Sequence, residues 1–120
     1  MNKQPNSHHC FVCGVKNPSR IPAAYYETVD EHGQPEILAR FTGRHNHQGY
    51  PGRMHGGVIT GVLDETIGRA INIGDGETPM TWGVTAELTV RFLQPVPLEG
   101  ELSARGRITR NTRRLFEGTG

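Results

Sequence analysis

A chain of 120 residues has room for one domain around one core, so residues 1–120 are read as a single unit. Its hydrophobic content of 34% is low for a self-sufficient globule, which favours burial against a second copy, and a formal net charge of +1 exerts no general pull on nucleic acid or on a membrane surface. Glycine and proline, 16 and 8 residues, make up a fifth of the chain, which is rich in turns yet short of the composition of disorder.

No apolar run has the length of a membrane span. The opening Met1-Asn2-Lys3-Gln4-Pro5-Asn6 lacks the apolar core of a signal peptide, so a cytoplasmic, reducing setting is expected and the two cysteines need not pair. Residues 1–22, carrying His8, His9, Cys10, Cys13, Asn17, Pro18 and Pro22, read as an irregular arm. Residues 25–29 and 37–42 read as two strands joined by the turn Asp30-Glu31-His32-Gly33-Gln34. Residues 43–54 form a polar loop with a turn at Pro51-Gly52.

From 57 to about 73 the period becomes helical, with Ile59, Leu63, Thr66, Ile67, Ala70 and Ile71 on one stripe, and Gly74 and Gly76 end it. Residues 81–93 alternate, Trp82, Val84, Ala86, Leu88, Val90 and Phe92 against Thr81, Gly83, Thr85, Glu87, Thr89 and Arg91, which predicts a long half-buried strand ended by Pro95 and Pro97. Leu102, Ala104, Gly106 and Ile108 mark a further strand, and residues 114–120 begin another segment. One helix among antiparallel strands is an α+β layout.

Within the helix, Gly57, Gly61, Asp64 and Gly68 share one side. Each interior glycine costs roughly 1 kcal/mol relative to alanine, so three on one stripe call for a reason. Either another backbone packs closely there, with Asp64 at a solvated edge, or the bare face walls a narrow substrate channel with Asp64 as its acid/base. Glu65 points about 100° away and has Arg69 four residues on, which reads as a surface ion pair. Met54-His55-Gly56-Gly57 leads into the helix. Its first-turn N–H groups are ready donors to a developing oxyanion, although a simple capping turn fits the same residues. Cys10-x-x-Cys13 beside His8 and His9 has zinc-ligand character, but with no second pair it reads as a packed arm, and no metal is expected.

Taken together, His47-Gln48-Gly49-Tyr50-Pro51-Gly52-Arg53-Met54-His55-Gly56-Gly57 and Leu63-Asp64-Glu65 resemble the signature of the hotdog-fold acyl-CoA thioesterases, in particular the phenylacetate-pathway and 4-hydroxybenzoyl-CoA thioesterase-like group. Thr85 to Phe92 with Pro95-Val96-Pro97-Leu98 resembles the long third strand of that family and its proline turn, and Cys10-Phe11-Val12-Cys13-Gly14 with Asn17-Pro18 resembles its N-terminal arm. The resemblance implies a hotdog fold, an antiparallel sheet wrapped around one long central helix. It implies Asp64 as general base or nucleophile, Thr85 as a hydroxyl that positions water or the carboxylate, and Gly56 or Gly57 as the oxyanion donor. His55, with His47 or Gln48, would line the thioester carbonyl.

It also implies a homodimer or homotetramer with the site at the interface, Asp64 and Thr85 coming from different chains. Members of the family continue with the remainder of one strand and a further strand, so the C-terminal strand is expected to be truncated here. Among Arg105, Arg107, Arg110, Arg113 and Arg114, the last two are candidates for the phosphates of coenzyme A, a planar fork suiting phosphate, although a solvated strand face accounts for the same run. The expected activity is hydrolysis of an acyl-CoA to free acid and coenzyme A, with no cofactor beyond the coenzyme A of the substrate, and no nucleic-acid or membrane partner. The alternative is a non-catalytic acyl-CoA or small aromatic ligand binding protein on the same scaffold.

Overall fold

The computed structural model describes residues 1–76, 78, 81–112 and 114–120. The turn at Asp30 forms as its residue types dictate. Asp30 Oδ1 accepts from the N–H groups of His32 and Gln34, Asp30 N–H donates to Gln34 O at 2.8 Å, and Gly33 takes φ +78°. It joins strands β2 (Ala23–Val29) and β3 (Pro35–Thr42), each starting two residues before the expected limit. On one side β2 pairs with β1 (Asn2–Gln4), a short strand that the polar arm gave no reason to expect. On the other side β3 pairs with β4 (Glu101–Asn111), and β4 with β5 (Phe116–Thr119). Among the described residues these five strands make one antiparallel sheet in the order β1-β2-β3-β4-β5.

Helix α1 (Gly56–Arg69) continues into a 3-10 turn at Ala70–Asn72 and lies on the sheet. Its deepest line is Val62, Thr66 and Ala70, of which Thr66 and Ala70 lie on the predicted stripe and Val62 does not, while Ile59, Leu63, Ile67 and Ile71 are half-buried. Thr66 tolerates full burial because its hydroxyl donates back to Val62 O at 2.6 Å. Tyr25, Ile37, Ala39 and Phe41 face these residues from the sheet. The helix backbone comes close to the sheet at Gly106. A Cβ there would lie 2.9 Å from both Cα and N of Ile67, so only a bare backbone fits.

The long strand expected over 81–93 is not found. The segment runs back along α1 instead. Thr81 N–H donates to Asn72 Oδ1, Thr85 meets Asp64, and the Phe92 ring sits against Gly56. Trp82, Val84, Phe92 and Leu93 are exposed, and only Val90 is half-buried. Strand pairing needs a neighbour of comparable length. Among the described residues the end of the sheet is β5, a strand of four residues that meets the segment through Phe116 at Gly83.

Candidate active site

The loop into α1 is held by His47, which is buried with both ring nitrogens engaged. Nδ1 accepts from Arg44 N–H at 2.9 Å, so Nε2 carries the proton and donates to Ser19 O at 2.9 Å. His47 therefore anchors the loop through both ring nitrogens. Its own carbonyl receives His55 N–H at 2.8 Å. Gln48 is also structural in part, its Oε1 accepting from Gly52 N–H at 3.3 Å across the Pro51-Gly52 turn.

His55 is the N-cap of α1. Its Nδ1 accepts from Gly57 N–H at 2.8 Å, so Gly57 is already occupied as a donor. Among the described residues no group accepts from Gly56 N–H, and the two glycines offered by the sequence are thereby separated: Gly56 is the donor left open. It opens on a cavity of about 380 Å³ lined by Gly49, Tyr50, Arg53, Met54, His55 and Gly56. Tyr50 and Arg53 line this space, and sequence reasoning gave neither a role, although both lie inside the loop motif. A larger cavity of about 450 Å³, at the far end of the helix among Ala70, Ile73, Arg107 and Asn111, contains none of the expected site residues.

Asp64 is half-buried on α1, and its Oδ1 accepts from the Thr85 hydroxyl at 2.7 Å. The pair expected from two chains is thus made within one. The reason is the course of residues 81–93, which brings Thr85 across the helix face. The rest of the glycine stripe does not wall a channel. Gly61 admits the Val12 side chain of the arm, a Cβ there lying 3.2 Å from Val12 Cγ2, and Gly68 faces open space. Arg114 is exposed between β4 and β5 and lines neither cavity, and Arg113 lies outside the described residues.

At the residue after Asp64 the chemistry is different. Glu65 pairs with Arg69 at 2.9 Å, as the spacing predicts, but with side chains 25% and 11% exposed the pair is largely enclosed, not a surface one. Arg69 also lies over the Tyr25 ring at 3.9 Å and donates to Cys13 Sγ at 3.5 Å. Burial, then the nearby Glu65 carboxylate, push the Cys13 thiol up to about 12, so in this state it is a neutral thiol and a poor nucleophile. Burial opposes the charge of Arg69, yet Glu65 and Cys13 outweigh it and hold the guanidinium above its ordinary value.

The sequence pattern of the thioesterase superfamily matches residues 51–119, from the loop before α1 to the end of β5. The chain belongs to the thioesterase superfamily. A crystal structure of a thioesterase superfamily protein is similar to it at a TM-score of 0.71 and 28% identity, over 92% of this chain and 53% of the other. The chain thus spans about half the length of that solved relative. No curated protein matches. Sheet, central helix and family agree on the α+β hotdog fold expected from the loop and helix motifs. Among the described residues no helix is long and apolar enough to cross a membrane.

Proposed function

We propose that this thioesterase-superfamily chain hydrolyses an acyl-CoA thioester, with Asp64 as the general base or nucleophile and Gly56 N–H as the oxyanion donor. The observation that carries the reading is the Thr85–Asp64 hydrogen bond of 2.7 Å. It fixes one carboxylate oxygen and leaves the other lone pairs for a water or for the carbonyl carbon. Water attack directed by Asp64, or attack by Asp64 itself followed by hydrolysis of the anhydride, ends in the same acid and thiol. Coenzyme A is part of the substrate, and Arg114 and Arg53 are exposed and available to its phosphates.

The same geometry argues for an assembly. Gly56 and Asp64 are eight residues apart on one helix, roughly 12 Å along its axis at 1.5 Å per residue. One thioester must lie about 3 Å from both its oxyanion donor and its attacking group. A single copy of α1 cannot provide both, whereas two helices side by side and antiparallel bring Asp64 of one copy to Gly56 of another. A dimer or a dimer of dimers follows, with the exposed residues of the 81–93 segment available for burial.

Release of free thiol from a panel of acyl-CoA substrates, followed with sedimentation of the same sample, tests the reading. Turnover that rises with the fraction of dimer is expected. Full activity in a monomer would overturn the shared site. Binding of acyl-CoA without turnover, unchanged by Asp64→Asn, would replace hydrolysis with a binding role.

A further inference from the structure

The N-terminal arm meets α1 at a cluster that thioester chemistry does not use. Cys10 Sγ lies 3.9 Å from Glu65 Oε2, Cys13 Sγ lies 3.5 Å from Glu65 Oε1, and the three ligand atoms all fall within 4.8 Å of one another. We propose that Cys10, Cys13 and Glu65 bind a divalent transition-metal ion of the zinc type, which fastens the arm to the helix.

The donor set suits such an ion. Thiolate sulfur and carboxylate oxygen bind zinc at about 2.3 and 2.0–2.2 Å, so tetrahedral ligands stand about 3.5–3.8 Å apart. Each sulfur lies near that distance from a different oxygen of Glu65, and with one oxygen taken the three ligand atoms lie within 4.8 Å, so side-chain rotations of about an ångström complete the set. Sequence reading dismissed the Cys10-x-x-Cys13 pair for want of further ligands. The third comes from fifty residues further along the chain, which spacing alone does not reveal. His8 and His9 are exposed and outside the cluster, which leaves the fourth position to a solvent molecule.

The surroundings suit the bound state. Binding releases one proton from each thiol as two Zn–S bonds form, so two protons are exchanged for one doubly charged ion. With Glu65 and Arg69 opposite in charge, the enclosed group is neutral before and after. Arg69 Nη2 lies 3.5 Å from Cys13 Sγ and Arg69 Nε lies 2.9 Å from Glu65 Oε1, so the guanidinium supports one sulfur and one oxygen as an outer partner. Tyr25 is fully buried in the same core cluster as Cys13, and a Cys13 thiolate would be a stronger acceptor for its hydroxyl than the thiol is.

The test uses the full chain, reduced and titrated with Co²⁺ and then Zn²⁺. One equivalent of Co²⁺ with a sulfur-to-cobalt charge-transfer band, displaced by Zn²⁺, is expected. Glu65→Gln should weaken binding at least tenfold, and Cys10→Ser should do the same and diminish the band. Zn²⁺ should also slow alkylation of both thiols in the unaltered protein, a readout that needs no variant to fold. Asp64→Asn should leave all of this unchanged, which separates failure here from failure of the hydrolase reading. Substoichiometric Co²⁺, binding without a thiolate band, or alkylation indifferent to Zn²⁺ would each overturn the site. So would a Cys10–Cys13 disulfide in the untreated protein whose reduced form binds no metal.

Discussion

The two ends of α1 treat polar groups in opposite ways. At the N-terminal end His55 is exposed and caps Gly57, Gly56 N–H has no acceptor among the described residues, and a cavity opens in front of them. No acidic side chain lies in the first turn to neutralise its positive end. Near the C-terminal end Glu65, Arg69, Cys13 and the Tyr25 ring are packed together, and almost every charge has a partner. A donor left open toward a cavity costs little, because water reaches it, and it stays available for a developing charge. An enclosed charge must be matched, and such matching holds the arm in place. Asp64 stands between these regimes, half-buried and held by one hydroxyl.

The sharpest way to divide the two regimes is at adjacent residues. Asp64→Asn should reduce thioester hydrolysis by about 10²- to 10⁴-fold. It should change the melting temperature little, since the amide oxygen can still accept from Thr85. Steady-state thiol release and thermal unfolding on one preparation check both halves. On the sheet side of the matched region, Gly106→Ala forces a Cβ against the Ile67 backbone and should destabilise by about 1–3 kcal/mol in chemical unfolding. A stability equal to that of the unaltered protein would mean the helix can rise off β4 without cost.

Glu65→Gln should invert the Asp64 result, with a loss of about 1–3 kcal/mol from the enclosed pair with Arg69 and little change in rate. A large fall in turnover at constant stability would break the division. His55→Ala should cost about 1 kcal/mol through the lost cap, and His55→Asn, a good capping residue, should restore both stability and rate. A rate that stays low in His55→Asn would give the imidazole a role beyond the cap.

The smallest effect lies in the β2–β3 turn. Backbone donation from Gln34, then from His32, holds the Asp30 carboxyl below its ordinary value of 3.8. A depressed carboxyl stabilises the fold above its unfolded pKa, and the contribution is lost as pH falls through the lower folded value. The stability gap between the unaltered protein and Asp30→Asn should therefore be greatest near neutrality and close in strong acid, as measured by unfolding midpoints against pH.

Local rules made much of this readable in advance. The Asp30 turn, both strands beside it, the helix and its Glu65–Arg69 pair follow from spacing and residue type over a few positions. Asp64 was singled out by the helix period and the family motif and Thr85 by the resemblance, and the fold brings the two within 2.7 Å. What escaped depends on long-range encounters. β1 exists only because β2 offers an edge, and Asn2–Gln4 carries no alternation to announce it. The 81–93 segment has perfect strand alternation, but alternation states a preference and pairing needs a neighbour. The anchoring of His47 by Arg44 and Ser19 escaped as well, since Ser19 is twenty-eight residues away in sequence.

The path of that segment has a consequence for solvent exchange. Among the described residues, none of the amides from Trp82 to Leu93 donates to another backbone group. In the single chain they should trade hydrogen for deuterium at close to the unprotected rate, while Val62 and Thr66 exchange only through larger openings. Protection of this stretch then reports on association directly. If copies pair along it, its exchange should slow as concentration rises and every other region holds steady, giving a local gauge of assembly that needs neither substrate nor label.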